Sequence, residues 1–185
     1  MNKTKVLGIS AASTLESRSE LLLDSLLDEF LQHDSYIKKI AVRDLNILFC
    51  DGLRSCEKTG ICKWEDDMQI LGNELLLADI VIIATPVYFA SVPARLKAII
   101  DRCQVFWARK NILKNFKPSL KKGIFIAVAG RNPEFSHIET VIKAFFSVFN
   151  IKLCGRFYLP NTDKLDSTQF TKTQENIKKL IKEVF

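Results

Sequence analysis

Five short apolar runs recur along this chain, and each is followed by a stretch whose apolar residues return at helical spacing. The runs cover residues 6–9, 36–42, 80–84, 123–129 and 154–159. Those at 6–9 and 80–84 are almost unbroken, the pattern of strands covered on both faces in a parallel sheet. Between and after the runs, apolar residues fall on one helical stripe. The stripes are Leu22, Leu26 and Phe30, then Ile70, Leu71 and Leu75, then Leu96, Ile99, Cys103 and Phe106, then Ile142, Phe145 and Phe149. Residues 169–184 read as a closing helix. Asp66 and Gln69 have the N-cap and N3 spacing of a capping box, and Pro93 suits the first turn of the third helix.

Strand and helix repeated five times call for a parallel sheet with helices on both faces. Right-handed crossovers reduce the topologies to few, and the five-strand order 2-1-3-4-5 follows, a three-layer α/β sandwich. With 185 residues, 48% of them hydrophobic, the chain fits one domain spanning 1–185. In such a sheet a ligand sits beyond the carboxyl ends of the strands, at the switch between strands 1 and 3. The loops after strands 1, 3 and 4 are therefore the places to look for chemistry.

The first loop is small and polar and ends at a helix N-terminus. Ser13, Ser17 and Ser19 offer hydroxyls and Arg18 a charged fork, a set that suits a terminal phosphate. The same residues also suit an ordinary serine-capped helix. Neither a Walker loop nor a G-x-G-x-x-G fingerprint is present. The second loop, stiffened by Pro86 and Pro93, carries Val87, Tyr88 and Phe89. Aromatic rings at the sheet's carboxyl edge await either a planar ligand or a neighbouring subunit. The third loop opens with Ala129 and Gly130.

The net charge of +6 comes from scattered lysines, with no dense basic stretch and no interleaved stacking aromatics, so no nucleic-acid partner is expected. An anionic cofactor would gain from the field. No apolar run approaches the ~18 residues of a membrane span and no targeting segment is evident, so a cytoplasmic protein with no membrane partner is expected. Five cysteines are an odd number and argue against a disulfide framework. Three of them, Cys50, Cys56 and Cys62, fall in the long irregular segment 43–65. Lys97 and Arg102 read as solvent-facing, and Trp64 and Trp107 as core or interface residues. No nucleophile–base set stands out, and no catalytic residue is assigned.

The run from Ala78 through Pro86-Val87-Tyr88-Phe89 to Ile100-Asp101-Arg102-Cys103, with Asp66-Asp67-Met68 before it, resembles the NADPH-dependent FMN reductases and iron–sulfur flavoproteins. That resemblance implies a flavodoxin-like fold binding FMN. Pro86, Val87, Tyr88 and Phe89 would lie along the flavin ring, Ser13, Ser17, Arg18 and Ser19 would cradle the phosphate, and the loop of Gly130 would cover the ring's other side. It further implies an oxidoreductase taking electrons from NAD(P)H and passing them to a quinone, a flavin or another small acceptor. A homodimer or homotetramer would complete the flavin site. Flavin chemistry belongs to the cofactor, and the protein supplies position and electrostatics. The chain departs from the family at Ala11, Ala12, Ser13 and Thr14, where Gly-Ser-Pro-Arg is usual, and Ala11's methyl group limits backbone approach to a ligand. It departs again at Leu53, which replaces the second of four closely spaced cysteines. A protein-held cubane takes four thiolates and structural zinc a paired-cysteine spacing, so neither a cluster nor a metal is expected. A non-enzymatic FMN carrier and an interaction protein without cofactor remain the competing readings.

Overall fold

The computed structural model describes residues 3–184. β1 (Lys5–Ser10), β2 (Tyr36–Ala41), β3 (Ile80–Pro86), β4 (Lys121–Val128) and β5 (Ile151–Leu159) form one sheet in the order β2-β1-β3-β4-β5. Every ladder is parallel. Strand side chains alternate between faces, and here each face meets its own helical layer. Val6, Ile80, Ile82, Ile124 and Ile126 pack with Leu22, Leu26 and Phe30 of α1 (Arg18–Gln32) and Ile177 of α7 (Ser167–Ile177). Leu7, Ile9, Val81, Ile83 and Phe125 pack on the other side, against α3 (Met68–Leu77), α4 (Ala94–Arg102), α5 (Gln104–Asn111) and α6 (Ser136–Val148). Two apolar layers explain why the central strands read as continuous runs. Among the described residues no helix is long and apolar enough to cross a membrane.

β5 begins three residues before the run expected at 154–159. Its pairing steps from Gly123↔Leu153 to Ile124↔Gly155, leaving Cys154 without a register partner. This bulge breaks the alternation that marks a strand. The single helix expected through Phe106 divides at Cys103, whose N–H is shared by the carbonyls of Ile99 and Ile100, both at 3.1 Å, so α4 and α5 are distinct. The closing helix also ends early. α7 stops at Ile177 and the chain tightens into a 3-10 helix, Lys178–Glu183.

The capping box expected at Asp66 and Gln69 does not form. Asp67 is the N-cap of α3, and the Asp66 carboxylate accepts instead from the amides of Leu48 (2.9 Å) and Met68 (3.1 Å) and from both terminal nitrogens of Arg102 (2.6 and 3.1 Å). The box that does form opens α7. Asp166 accepts from the Gln169 amide at 2.8 Å, and the Gln169 side chain accepts from the Asp166 amide at 3.2 Å.

Arg102 is not solvent-facing: it is 2% exposed. Its guanidinium also donates to the Leu48 carbonyl at 2.8 Å. A guanidinium out of water needs a charged partner and hydrogen-bond acceptors. The segment folded over α4 supplies Asp66 and the Leu48 carbonyl to the two terminal nitrogens, while Nε is left without a partner among the described residues. Lys97 is exposed and pairs with Asp101 at 2.6 Å. The segment between β2 and α3 is held at both ends, by Arg102 and by an Asn46 amide bond to Asp67 at 2.7 Å. Its middle carries exposed Phe49, Leu53 and Ile61 and the short α2 (Cys56–Thr59).

Candidate functional site

The loop after β1 is tied to β3 by the Ala11 amide, which donates to the Ala84 carbonyl at 2.8 Å. Ser17 caps α1: its hydroxyl accepts from the Glu20 amide at 3.3 Å and lies 3.2 Å from the Ser19 hydroxyl. The serine-cap role is thus present, whatever else the loop binds. Arg18 follows. One terminal nitrogen donates to the Leu165 carbonyl at 3.0 Å, and the guanidinium carbon stands 5.6 Å from the Phe170 ring centroid. The other, Nη1, is buried with no partner among the described residues. Glu20, buried in the same turn, pairs with Arg43 at 2.7 and 3.0 Å and with Lys39 at 2.9 Å. The bond to Arg43 leads the effects that hold its carboxyl below the ordinary range, outweighing burial.

β3 runs into a tight turn. The Val87 amide donates to the Val128 carbonyl at 2.8 Å, and Tyr88 and Ser91 exchange two backbone bonds of 2.9 Å each. At its tip Phe89 and Ala90 have φ of 50° and 57°. Positive φ at both central residues is the hairpin geometry usually given to Asn and Gly, and it strains other residues by about 1–2 kcal/mol each. Strain of this kind gathers at functional sites. Phe89 is fully exposed.

The third wall joins two loops. The Ala129 carbonyl accepts from the Thr162 amide (3.0 Å) and hydroxyl (3.2 Å), and the Asn161 amide donates to the Arg131 carbonyl at 2.9 Å. These bonds seat the turn Thr162–Lys164 on the end of β4. A side chain at 130 would collide with it: a Cβ there would lie 2.6 and 2.7 Å from the two Asp163 carboxylate oxygens.

The three walls enclose a cavity of about 380 Å³ at the carboxyl edge. It brings together Ser17, Arg18 and Ser19, Pro86, Val87 and Tyr88, and Gly130. Ser13 is exposed and lies outside its lining, as does Phe89. Sequence reasoning missed Val128, Thr162 and Asp163, which complete the lining. The polar cluster Asn161-Thr162-Asp163, directly after the fifth strand and so at the same sheet edge, was the available signal.

A larger cavity, about 540 Å³, lies under the segment between β2 and α3 and shares no residue with the first. Cys50, Cys56, Cys62, Trp64 and Trp107 line it. Burial, then the neighbouring Cys62 and Cys50, push the Cys56 thiol above its ordinary range. Among the described residues no group of three or more His, Cys, Asp or Glu side chains is arranged to hold a metal ion. Leu53, in place of a fourth thiol, is exposed.

The sequence profile of the family described as NADPH-dependent FMN reductase matches residues 4–161. An iron–sulfur flavoprotein of Archaeoglobus fulgidus is 28% identical over 141 residues, 76% of this chain and 63% of the relative. One of Methanocaldococcus jannaschii is 32% identical over 98 residues, 53% of this chain and 51% of the relative. The chain therefore spans between about half and just under two thirds of the length of these curated relatives. Among solved structures, an NAD(P)H:quinone oxidoreductase from Methanothermobacter marburgensis superposes with a TM-score of 0.73 at 13% identity, over 97% of this chain and 96% of that one. That likeness shows a shared flavodoxin-like fold.

Proposed function

The chain belongs to the NADPH-dependent FMN reductase family, and from that premise we propose that it is an FMN-dependent NAD(P)H oxidoreductase delivering electrons to a quinone, flavin or similar small acceptor. The observation that carries the reading is Arg18 Nη1, a buried donor without a partner on a residue lining the carboxyl-edge cavity. A buried guanidinium nitrogen left unbonded is costly, and a phosphate would fill it. Ser19 and the amides of the first turn of α1 add donors and the positive end of the helix dipole. Pro86, Val87 and Tyr88 give the cavity an apolar border for a planar ring. The amides of Val87 and Tyr88 are already spent on Val128 and Ser91, so that border acts through contact and shape. When bound, FMN supplies the hydride and electron chemistry, and the chain's own residues hold and orient it.

The donor set in the larger cavity does not fit a four-thiolate cluster: three cysteines line it and position 53 is leucine. No step is assigned to iron. A homodimer or homotetramer would cover Phe89, whose ring has no cover among the described residues.

Titration of the purified protein with FMN and riboflavin, followed by anaerobic mixing with NADPH or NADH, tests the reading. Saturable FMN binding at micromolar levels, about −8 kcal/mol, is expected, with Arg18→Ala weakening FMN and sparing riboflavin. Either nucleotide should then bleach the bound flavin, and iron analysis should find no stoichiometric iron. Bleaching by dithionite alone would favour an electron carrier, and no FMN binding would refute the proposal.

A further inference from the structure

We propose that the Asp163 carboxylate accepts hydrogen bonds from the hydroxyls of the ligand's polyol chain, and so selects a flavin with a hydroxylated chain over one without. The proposal rests on the FMN reading above and adds a residue to it. Asp163 lies beyond the stretch 4–161 matched to the family, so its role is read from this chain alone.

The cavity is bipolar. Arg18 and the N-terminus of α1 stand on one wall, and Asp163 is the one anionic side chain in the lining. Cation and carboxylate share about 380 Å³ of space, yet no ion pair or hydrogen bond joins them among the described residues. A carboxylate in a phosphate site raises repulsion unless something in the ligand donates to it. The backbone is built to keep it there all the same. Asn161 and Thr162 are bonded to the loop after β4, and the missing Cβ at Gly130 leaves the room that the carboxylate oxygens occupy.

Neighbouring hydroxyls already have partners of their own. The Ser17 hydroxyl accepts from the Glu20 amide, and the Thr162 hydroxyl donates to the Ala129 carbonyl. Among the described residues the Asp163 carboxylate has no such partner, which distinguishes it from Asp166 three residues on, whose carboxylate caps α7. A ligand that fits carries an anion at one end and hydroxyl donors along its length. Hydrogen bonds from hydroxyl to carboxylate are short and about twice as strong as neutral ones.

The test compares FMN with an analogue bearing a phosphopentyl chain, which keeps ring and phosphate and lacks the hydroxyls. Both are titrated into wild type, Asp163→Ala, Asp163→Asn and Gly130→Ala, with circular dichroism confirming that each variant is folded. Asp163→Ala should weaken FMN about tenfold and leave the analogue within about twofold. Asp163→Asn, which keeps an acceptor oxygen without the charge, should fall between. Gly130→Ala should reproduce the FMN-selective loss by displacing the carboxylate. Equal losses for both ligands, or FMN binding by Asp163→Ala that is unchanged or tighter, would overturn the assignment while leaving the FMN reading intact. Failure of wild type to bind FMN would instead remove both.

Discussion

Arg102 and Asp66 meet at 2.6 Å with side chains each 1% exposed, a pair that neither residue's sequence neighbourhood announces. Arg102 follows Lys97 and Asp101 on a helix that looks amphipathic, and only the chain folding back from residue 48 supplies its partners. Removing one member leaves the other charged and dry. Arg102→Ala is expected to cost about 3–5 kcal/mol, read as a lower urea midpoint at pH 7, and Arg102→Met combined with Asp66→Leu should recover much of the loss. Burial pushes Asp66 up, but Arg102 and the amides of Leu48 and Met68 hold it below the ordinary carboxylate range. A carboxyl depressed in the folded state stabilises above its unfolded value, near pH 4, and that stability fades as pH falls through the folded value. Urea midpoints measured from pH 7 downward should therefore hold until about pH 4 and then drop, with a shallower drop in the doubly substituted protein.

At the scale of the element, capping chemistry was read in one place and found in another. Asp66 and Gln69 have the right spacing, but a buried guanidinium claims the carboxylate. Asp166 and Gln169 have the same spacing and face no such competitor, so the box forms there. Asp166→Ala is expected to destabilise by about 1 kcal/mol, with Asp166→Ser restoring most of it in thermal melts. The central strands were legible because burial on both faces leaves an unbroken apolar run. β5 was legible only in part, because its bulge at Cys154 and its place at the sheet's edge blur the pattern. The division of α4 from α5 at Cys103 depends on a shared carbonyl bond, and no breaker residue marks it in the sequence.

At the scale of the whole molecule, the sheet order followed from counting strand–helix units, and the order pointed to the loops after β1, β3 and β4. Those loops do line one cavity with Ser17, Arg18, Ser19, Pro86, Val87, Tyr88 and Gly130. The turn after β5 offers a weaker signal, a polar cluster at the same sheet edge that matches no motif, and its bonds to the loop after β4 are what bring it to the site. The long segment between β2 and α3 also shapes the molecule's divisibility. Its middle exposes Phe49 and Leu53, both suited to chymotrypsin, while β1, on the amino-terminal side of such a cut, lies between β2 and β3 in the sheet. A chain nicked there is expected to run as two bands on a denaturing gel and as one species in gel filtration. Each piece would then own one part of the cavity, the wall of Ser17, Arg18 and Ser19 on the first and the remaining walls on the second. The two halves could be expressed separately as a split pair, and FMN would act as the adhesive that strengthens their reunion.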